Sequence, residues 1–329
     1  MQAQLIALDW GTTSLRAYLL GPSGRVLSVR SLACGIMRLP STPREIAGQV
    51  CADGFELAFD EACGDWLAAH PGIAVIACGM VGSAQGWREA PYRQTPASLD
   101  ALSSALQTVR SIQGVDVHIV PGVIQHSTLP NVMRGEETQV LGVLHRHLDL
   151  NDCLIGLPGS HSKWVQVQDA TLVHFDTFMT GEVYAAVSEH TILARTQQAT
   201  AQFDAAAFEH GVGVALSPDG RAGLLSTLFS ARTLSLTGQL NAVQQPDYVS
   251  GLLIGHELSA LGALLRDRRG DQPLPTIILI GNAQLCDRYQ RALTLCGFAH
   301  VRLAEQATEQ GLWHLAHAAG LLQYTQRES

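Results

Sequence analysis

The sequence predicts an α/β protein built as two related lobes. Three observations predict it. Strand-like apolar runs alternate with helix-periodic segments along all 329 residues. Apolar residues make up 47% and charged residues 15%, ample for a buried core at a length of about two domains. A strand–turn–strand segment also recurs: residues 5–14 align with residues 153–162 at an offset of 148, sharing an apolar strand, a glycine, a hydroxyl residue and a closing serine. Such a repeat predicts two lobes facing each other, each pointing one Gly/Ser/Thr turn into the cleft. The lobes are expected over 1–130 and 131–329.

The first lobe opens with three strands, 4–8, 15–20 and 25–30, the last two separated by the turn Gly21-Pro22-Ser23-Gly24. Apolar positions at helical spacing predict a helix over 44–69, weakened by Gly54. A strand follows at 73–78, a helix at 98–112 and a strand at 115–120. The second lobe begins with a helix at 136–147 and a strand at 152–157. Its turn leads into a hairpin, 163–168 and 171–175. Helices are expected at 181–194, 203–216, 221–240 and 247–268. A buried strand at 276–280 runs into a helix at 284–296. A strand at 300–303 and a helix at 305–324 close the chain.

A formal net charge of -8 without a basic block argues against nucleic-acid or anionic-membrane partners. No run of about 18 apolar residues predicts a membrane span. The N-terminus has no basic n-region and no cleavage-like site, so a signal peptide is not expected. The seven cysteines are scattered without a Cys-x-x-Cys pair and read as reduced, mostly buried residues. A cytoplasmic location follows as the expectation.

The first turn is Asp9-Trp10-Gly11-Thr12-Thr13-Ser14. Glycine admits close approach of a phosphate, backbone N–H groups can cradle its oxygens, and the hydroxyls of Thr12, Thr13 and Ser14 add donors. Asp9 at the strand's end can hold a hydrated Mg²⁺. The pattern is neither a P-loop nor a G-x-G-x-x-G fingerprint, both of which need a helix to follow. The second turn, Gly159-Ser160-His161-Ser162-Lys163, offers the same donors. Lys163 is the single lysine among 21 basic residues, the rest being arginine. A compact ammonium there can compensate phosphate or substrate charge.

Glu136 and Glu137 open a helix, where the dipole favours an ionised carboxylate able to deprotonate a hydroxyl. Arg134 beside them can clamp a substrate carboxylate. The loop leaving the 73–78 strand carries Gly82, Ser83, Gln85, Trp87, Arg88 and Tyr92, groups suited to a polyhydroxy acid. Gly281-Asn282, ending a buried strand, suits the approach of a base or ribose.

These motifs resemble those of the 2-dehydro-3-deoxygalactonokinase family. The resemblance is carried by Asp-Trp-Gly-Thr-Thr at 9–13, Gly-Met-Val-Gly-Ser at 79–83 and Met-Arg-Gly-Glu-Glu-Thr-Gln at 133–139. Leu-Pro-Gly-Ser-His-Ser-Lys-Trp at 157–164 and Thr-Phe-Met-Thr-Gly-Glu at 177–182 extend it across the chain in order. It implies the sugar kinase, actin and Hsp70 superfamily: two ribonuclease H-like lobes, the actin-like ATPase fold, around a nucleotide cleft. It also implies ATP-dependent phosphorylation of 2-dehydro-3-deoxy-D-galactonate at its C6 hydroxyl, with Mg²⁺, in D-galactonate breakdown. Residues 9–14 and 159–163 match the superfamily's phosphate motifs, and Gly281 its adenosine motif. The last helix is expected to return to the first lobe. Glu136 is favoured as the catalytic base, with Glu137 and Asp9 as alternatives. A kinase of another sugar or sugar acid, or a nucleotide-binding switch without small-molecule chemistry, is the rival reading. The partner is a small sugar acid, and the sequence leaves room for a homodimer.

Overall fold

A computed structural model describes residues 2–146, 152–198, 202–270 and 272–322, so the expected helix ends at His147 and at 323–324 lie outside the described residues. Chain contacts divide it into two units. The first comprises the described residues of Met1–Asn151, Val165–Phe175 and Gln306–Ser329, and the second those of Asp152–Trp164 and Asp176–Glu305.

The first unit opens with β1 (Leu5–Trp10), β2 (Leu15–Leu20) and β3 (Val26–Leu32). Leu5, Ile6, Ala7 and Leu8 are all fully buried, the signature of a strand covered on both faces. The expected helix over 44–69 starts late. A small hairpin, β4 (Arg44–Ile46) and β5 (Gln49–Cys51), precedes α1 (Gly54–Ala69). Gly48 and Ala47 take positive φ in its turn, and Asp53 caps α1 by accepting from the N–H groups of Phe55 and Glu56. Then come β6 (Ala74–Cys78), β7 (Arg93–Gln94), α2 (Leu99–Ser103), β8 (Gln107–Arg110), β9 (Asp116–Ile119), β10 (Val123–Gln125), β11 (Asn131–Met133) and α3 (Glu136–Arg146). The helix expected over 98–112 is therefore short. Gln107–Arg110 alternates half-buried and exposed positions and pairs antiparallel with β9 as an edge strand.

The second unit holds β12 (Asp152–Leu157), the start of β13 (Ser162–Gln168) and the end of β14 (Thr171–Phe178). Helices α4 (Thr180–His190), α5 (Ala205–Leu216), α6 (Leu224–Thr227), α7 (Ser230–Leu236) and α8 (Gln245–Arg269) follow, and β15 (Thr276–Ile280), α9 (Ala283–Leu295) and β16 (Val301–Ala304) complete it. The single helix expected over 221–240 is two short ones, the first beginning only after Gly223, which takes a φ of +89°. The 25-residue α8 is long and apolar enough to cross a membrane by composition, but its apolar residues Leu258, Leu261 and Leu265 are core residues of this unit. The last helix, α10 (Ala307–Ala318), belongs to the first unit.

The two sheets repeat one plan. The first runs β3-β2-β1-β6-β9-β8 and the second β14-β13-β12-β15-β16. In each, the strand before the Gly/Ser/Thr turn lies beside its hairpin partner on one side and heads a parallel trio on the other, β1-β6-β9 or β12-β15-β16. This duplicated order is what the 148-residue offset predicts.

The contacts break after Asn151, not after residue 130, because α3 packs on α10. A Cβ on Gly142 would stand 2.0 Å from the Ala307 carbonyl oxygen, and one on Gly311 would stand 1.9 Å from that of Thr138. The two backbones touch, and only glycine permits it.

Candidate active site

In the first unit β1 delivers Asp9 to the end of the sheet, opposite Arg16 on β2 and Cys78 on β6. The following turn is closed by the Gly11 N–H donating to the Ser14 carbonyl at 2.9 Å. It leaves Thr12, Thr13 and Ser14 exposed. Residues 35–37 buttress it: Ile36 and Met37 N–H groups donate to the Gly11 and Thr12 carbonyls at 3.1 and 3.0 Å. A Cβ on Gly35 would stand 2.4 Å from Thr12 and Thr13 backbone atoms, so the turn's shape depends on this glycine.

Burial pushes the Asp9 carboxyl up, Arg16 pulls it down, and the charge of Glu136 pushes it up again. Asp9 and Glu136 thus feel each other across the start of α3. Glu136, half-buried, accepts from the Arg134 N–H at 3.0 Å. Glu137 is fully buried; its oxygens accept from the Gly135 N–H at 2.9 and 2.7 Å and from the Thr138 hydroxyl at 3.1 Å. Burial, reinforced by Glu136, pushes the Glu137 carboxyl up to about 8. An unfolded glutamate titrates near 4.3. The folded chain therefore holds an extra proton between these values, and stability falls as pH rises through that window. Glu137→Gln is expected to flatten this decline, read as denaturation midpoints at pH 5 and pH 8. An unchanged decline would assign it to another group.

The loop after β6 places Ser83 and Arg134 together at Gly82, where a Cβ would stand 2.9 Å from Arg134 Nη1. Arg134 Nη2 donates to the Ala90 carbonyl at 2.8 Å, and its guanidinium carbon lies 4.4 Å from the Tyr92 ring centroid. Among the described residues, Arg134 Nε and Nη1 and the Ser83 hydroxyl are buried without a hydrogen-bond partner. Buried donors of this kind ask for an acceptor. Trp87 instead stacks on Phe55 (6.2 Å between centroids) and packs on Phe59 and Trp10, so it anchors the loop to the core. Gln85 and Arg88 are exposed.

In the second unit the turn after β12 meets the first turn of α4. A Cβ on Gly181 would stand 2.4 Å from the Gly159 carbonyl, and the Glu182 N–H donates to the Ser160 carbonyl at 3.0 Å. Glu182 also pairs with exposed His161. Ser162 and Lys163 are buried: the Ser162 hydroxyl lies 2.9 Å from the Tyr289 hydroxyl, and Lys163 Nζ donates to the Thr177 hydroxyl at 2.9 Å. Nothing lies within 4 Å of where a Gly159 Cβ would stand, so the space over the turn is open. Gly159 and Ser160 line a cavity of about 420 Å³ with Asn282, Tyr184, Leu253, Ile254 and Leu285 among its walls. Asn282 reaches it as the cap of α9, accepting from the Gln284 and Leu285 N–H groups, and Arg288, held by Asp247 and Ser250, closes one side. Gly281 precedes it with a φ of +153°. A largely apolar pocket opening onto a Gly/Ser turn suits a nucleoside and its phosphate.

Among the described residues, no group of three or more His, Cys, Asp or Glu side chains is arranged to hold a metal ion. All seven cysteines are free thiols.

The family described as 2-keto-3-deoxy-galactonokinase matches residues 9–315. The chain belongs to this family. A relative from Escherichia coli (strain K12) named 2-dehydro-3-deoxygalactonokinase is 32% identical over 97% of this chain and 99% of its own. One from Rhizobium meliloti (strain 1021), provisionally assigned the same activity, is 34% identical over 95% and 96%. A crystal structure from Sinorhizobium meliloti with a provisional assignment of the same kind superposes with a TM-score of 0.80, at 33% identity, over 95% of this chain and 98% of that one. The Acidaminococcus fermentans (R)-2-hydroxyglutaryl-CoA dehydratase component A shares the fold alone, at 13% identity and a TM-score of 0.50, over 97% and 100%. The fold is that of the actin-like ATPases and sugar kinases.

In this 2-keto-3-deoxy-galactonokinase family member, the first unit gathers Asp9, Arg134, Glu136 and Glu137, with Gly82, Ser83 and Tyr92 around Arg134. The second gathers Gly159, Ser160 and Asn282 around one cavity. Sequence reasoning missed Gly35, Thr180, Gly181, Tyr184 and Arg288. The Thr-Gly-Glu at 180–182, a small residue between a hydroxyl and an acid, was the signal for two of them.

Proposed function

We propose that this kinase phosphorylates 2-dehydro-3-deoxy-D-galactonate at its terminal C6 hydroxyl, using ATP, in D-galactonate breakdown. Family membership across 9–315 supports the activity, and the observation in the site that carries the substrate assignment is Arg134. Its guanidinium charge and the neighbouring Ser83 hydroxyl, donors without a partner among the described residues, suit a 2-keto acid's carboxylate. Glu136, reachable and two residues away, accepts the proton of the attacking hydroxyl. Glu137, buried and tied to the Gly135 N–H, holds the helix start in place. ATP binds in the second unit, with its nucleoside in the cavity and its phosphate at the turn of residues 159–160. Lys163 adds positive charge beneath that turn. Asp9 would be the residue to hold Mg²⁺, which would supply positive charge for phosphoryl transfer. The enzyme works in the cytoplasm, where galactonate is degraded.

The decisive assay is coupled ADP release with the ketodeoxy acids derived from galactonate and from gluconate. The galactonate-derived acid is expected to be the better substrate by kcat/KM. Equal or reversed preference, or turnover of a hexose alone, would reject the assignment. Arg134→Ala is expected to raise KM for the sugar acid about 30- to 150-fold, the loss of about 2–3 kcal/mol from a charged hydrogen-bond pair, with KM for ATP unchanged. An unchanged sugar-acid KM would place the carboxylate elsewhere.

A further inference from the structure

Besides α8, three elements supply walls of the second unit's cavity: the turn after β12 leading into β13, the first turn of α4, and α9. Each sends a donor to one carboxylate, Glu257 on α8, which is itself buried and does not line the cavity. Trp164 Nε1 on β13 donates to Oε1 at 2.7 Å. The Tyr289 hydroxyl on α9 donates to Oε2 at 2.7 Å, and the Thr180 hydroxyl on α4 donates to the same oxygen. The Ser162 hydroxyl lies 2.9 Å from the Tyr289 oxygen and also bonds to Glu257, and its oxygen accepts the Gly159 N–H, 3.5 Å off. A network thus joins Glu257, Tyr289, Ser162 and the turn's first glycine.

A buried carboxylate is a poor source of stability, since well-packed apolar groups of equal volume do as well or better. Its burial pushes the carboxyl up, and Thr180, Tyr289 and Trp164 pull it back. What such a network supplies is one fixed geometry for the elements it joins. We propose that Glu257 is a positioning residue for the nucleotide: it locks the 159–162 turn, Thr180 and the Tyr289 ring in the arrangement that binds ATP, without touching ATP. This rests on the reading of the cavity as the nucleotide's.

The test compares Glu257→Gln, Tyr289→Phe, their double variant and Leu253→Trp, scoring steady-state kinetics and direct ATP binding. A glutamine in place of Glu257 keeps the volume but turns one acceptor into a donor, so it cannot receive all three partners. Glu257→Gln is expected to raise KM for ATP about 10-fold or more, with kcat within about 3-fold and KM for the sugar acid unmoved. Tyr289→Phe should raise it less. The double variant should be no worse than Glu257→Gln, because both cut the same network. An unchanged KM for ATP, a loss confined to kcat, or additive losses would overturn the proposal. Should Glu257→Gln fail to fold by circular dichroism, Tyr289→Phe and Thr180→Val each remove a single donor and face the same criterion. Leu253→Trp fills the cavity and tests the underlying reading separately. If it spares ATP binding, the nucleotide lies elsewhere and both ideas fall. If it abolishes binding while the network variants keep KM, only the role of Glu257 is wrong.

Discussion

Glu136→Gln is expected to lower kcat by about 10²–10⁴-fold, the range for removing a proton acceptor, while ATP binds nearly as before. The amide keeps the side chain's shape and can still accept the Arg134 N–H that holds it at 3.0 Å. The fold should therefore be kept. The charge change has a second signature. Glu136 pushes up both the Asp9 and the Glu137 carboxyls, so its neutralisation should let both ionise at lower pH. Glu137→Gln serves as the comparison. If it costs more turnover than Glu136→Gln at matched stability, the roles of the two carboxyls are exchanged. If Glu136→Gln loses ATP binding but keeps turnover, the residue serves the nucleotide and not the hydroxyl.

Gly311→Val should produce the opposite combination, a stability loss with activity falling alongside it. The first atom of its side chain would stand 1.9 Å from the Thr138 carbonyl oxygen and 2.8 Å from the carbon. A flexible side chain could move aside, but a helix carbonyl cannot, so α3 and α10 must separate. Overpacking of this kind costs about 1–3 kcal/mol or more. Thr138 lies in the same turn as Glu136, and displacing a catalytic group by about 1 Å can cost on the order of 10²-fold in rate. Denaturant midpoint and kcat should therefore fall together, whereas Glu136→Gln lowers kcat with the fold kept. A Gly311→Val protein with the parent's midpoint would mean that α10 does not clasp α3 as described.

Much of this is visible in the order of residues because it is local. The strand, turn and hydroxyl run of residues 5–14 and its echo at 153–162 mark the centre of each sheet, since a strand buried on both faces reads as a continuous apolar run. Glu136 and Glu137 are legible as a helix start for the same reason. What the sequence hides depends on distant partners. Gln139 donates to Thr308, 169 positions on, and nothing local in α3 announces that its mate is the last helix; the boundary was therefore placed too early. Trp87 looks like a ring for a sugar to stack on, yet Phe55 and Phe59 take its faces. Lys163 and Ser162 carry the right chemistry for a phosphate turn, but they begin a strand covered on both faces, and the Thr177 and Tyr289 hydroxyls take them as partners. Over 44–69, apolar spacing fits a helix throughout, and only the Ala47-Gly48 turn and the Asp53 cap decide where it begins.

The return of α10 has a consequence for how the protein is made. A ribosome releases the first sheet early, but the helix that seals α3 emerges only after the intervening 152–305 has been synthesised. At typical elongation rates that interval is roughly ten to thirty seconds. Throughout it the Gly142 face of α3 lacks its cover, so nascent chains stalled before residue 307 should be open to proteases and to chaperones, and release of α10 should end that exposure.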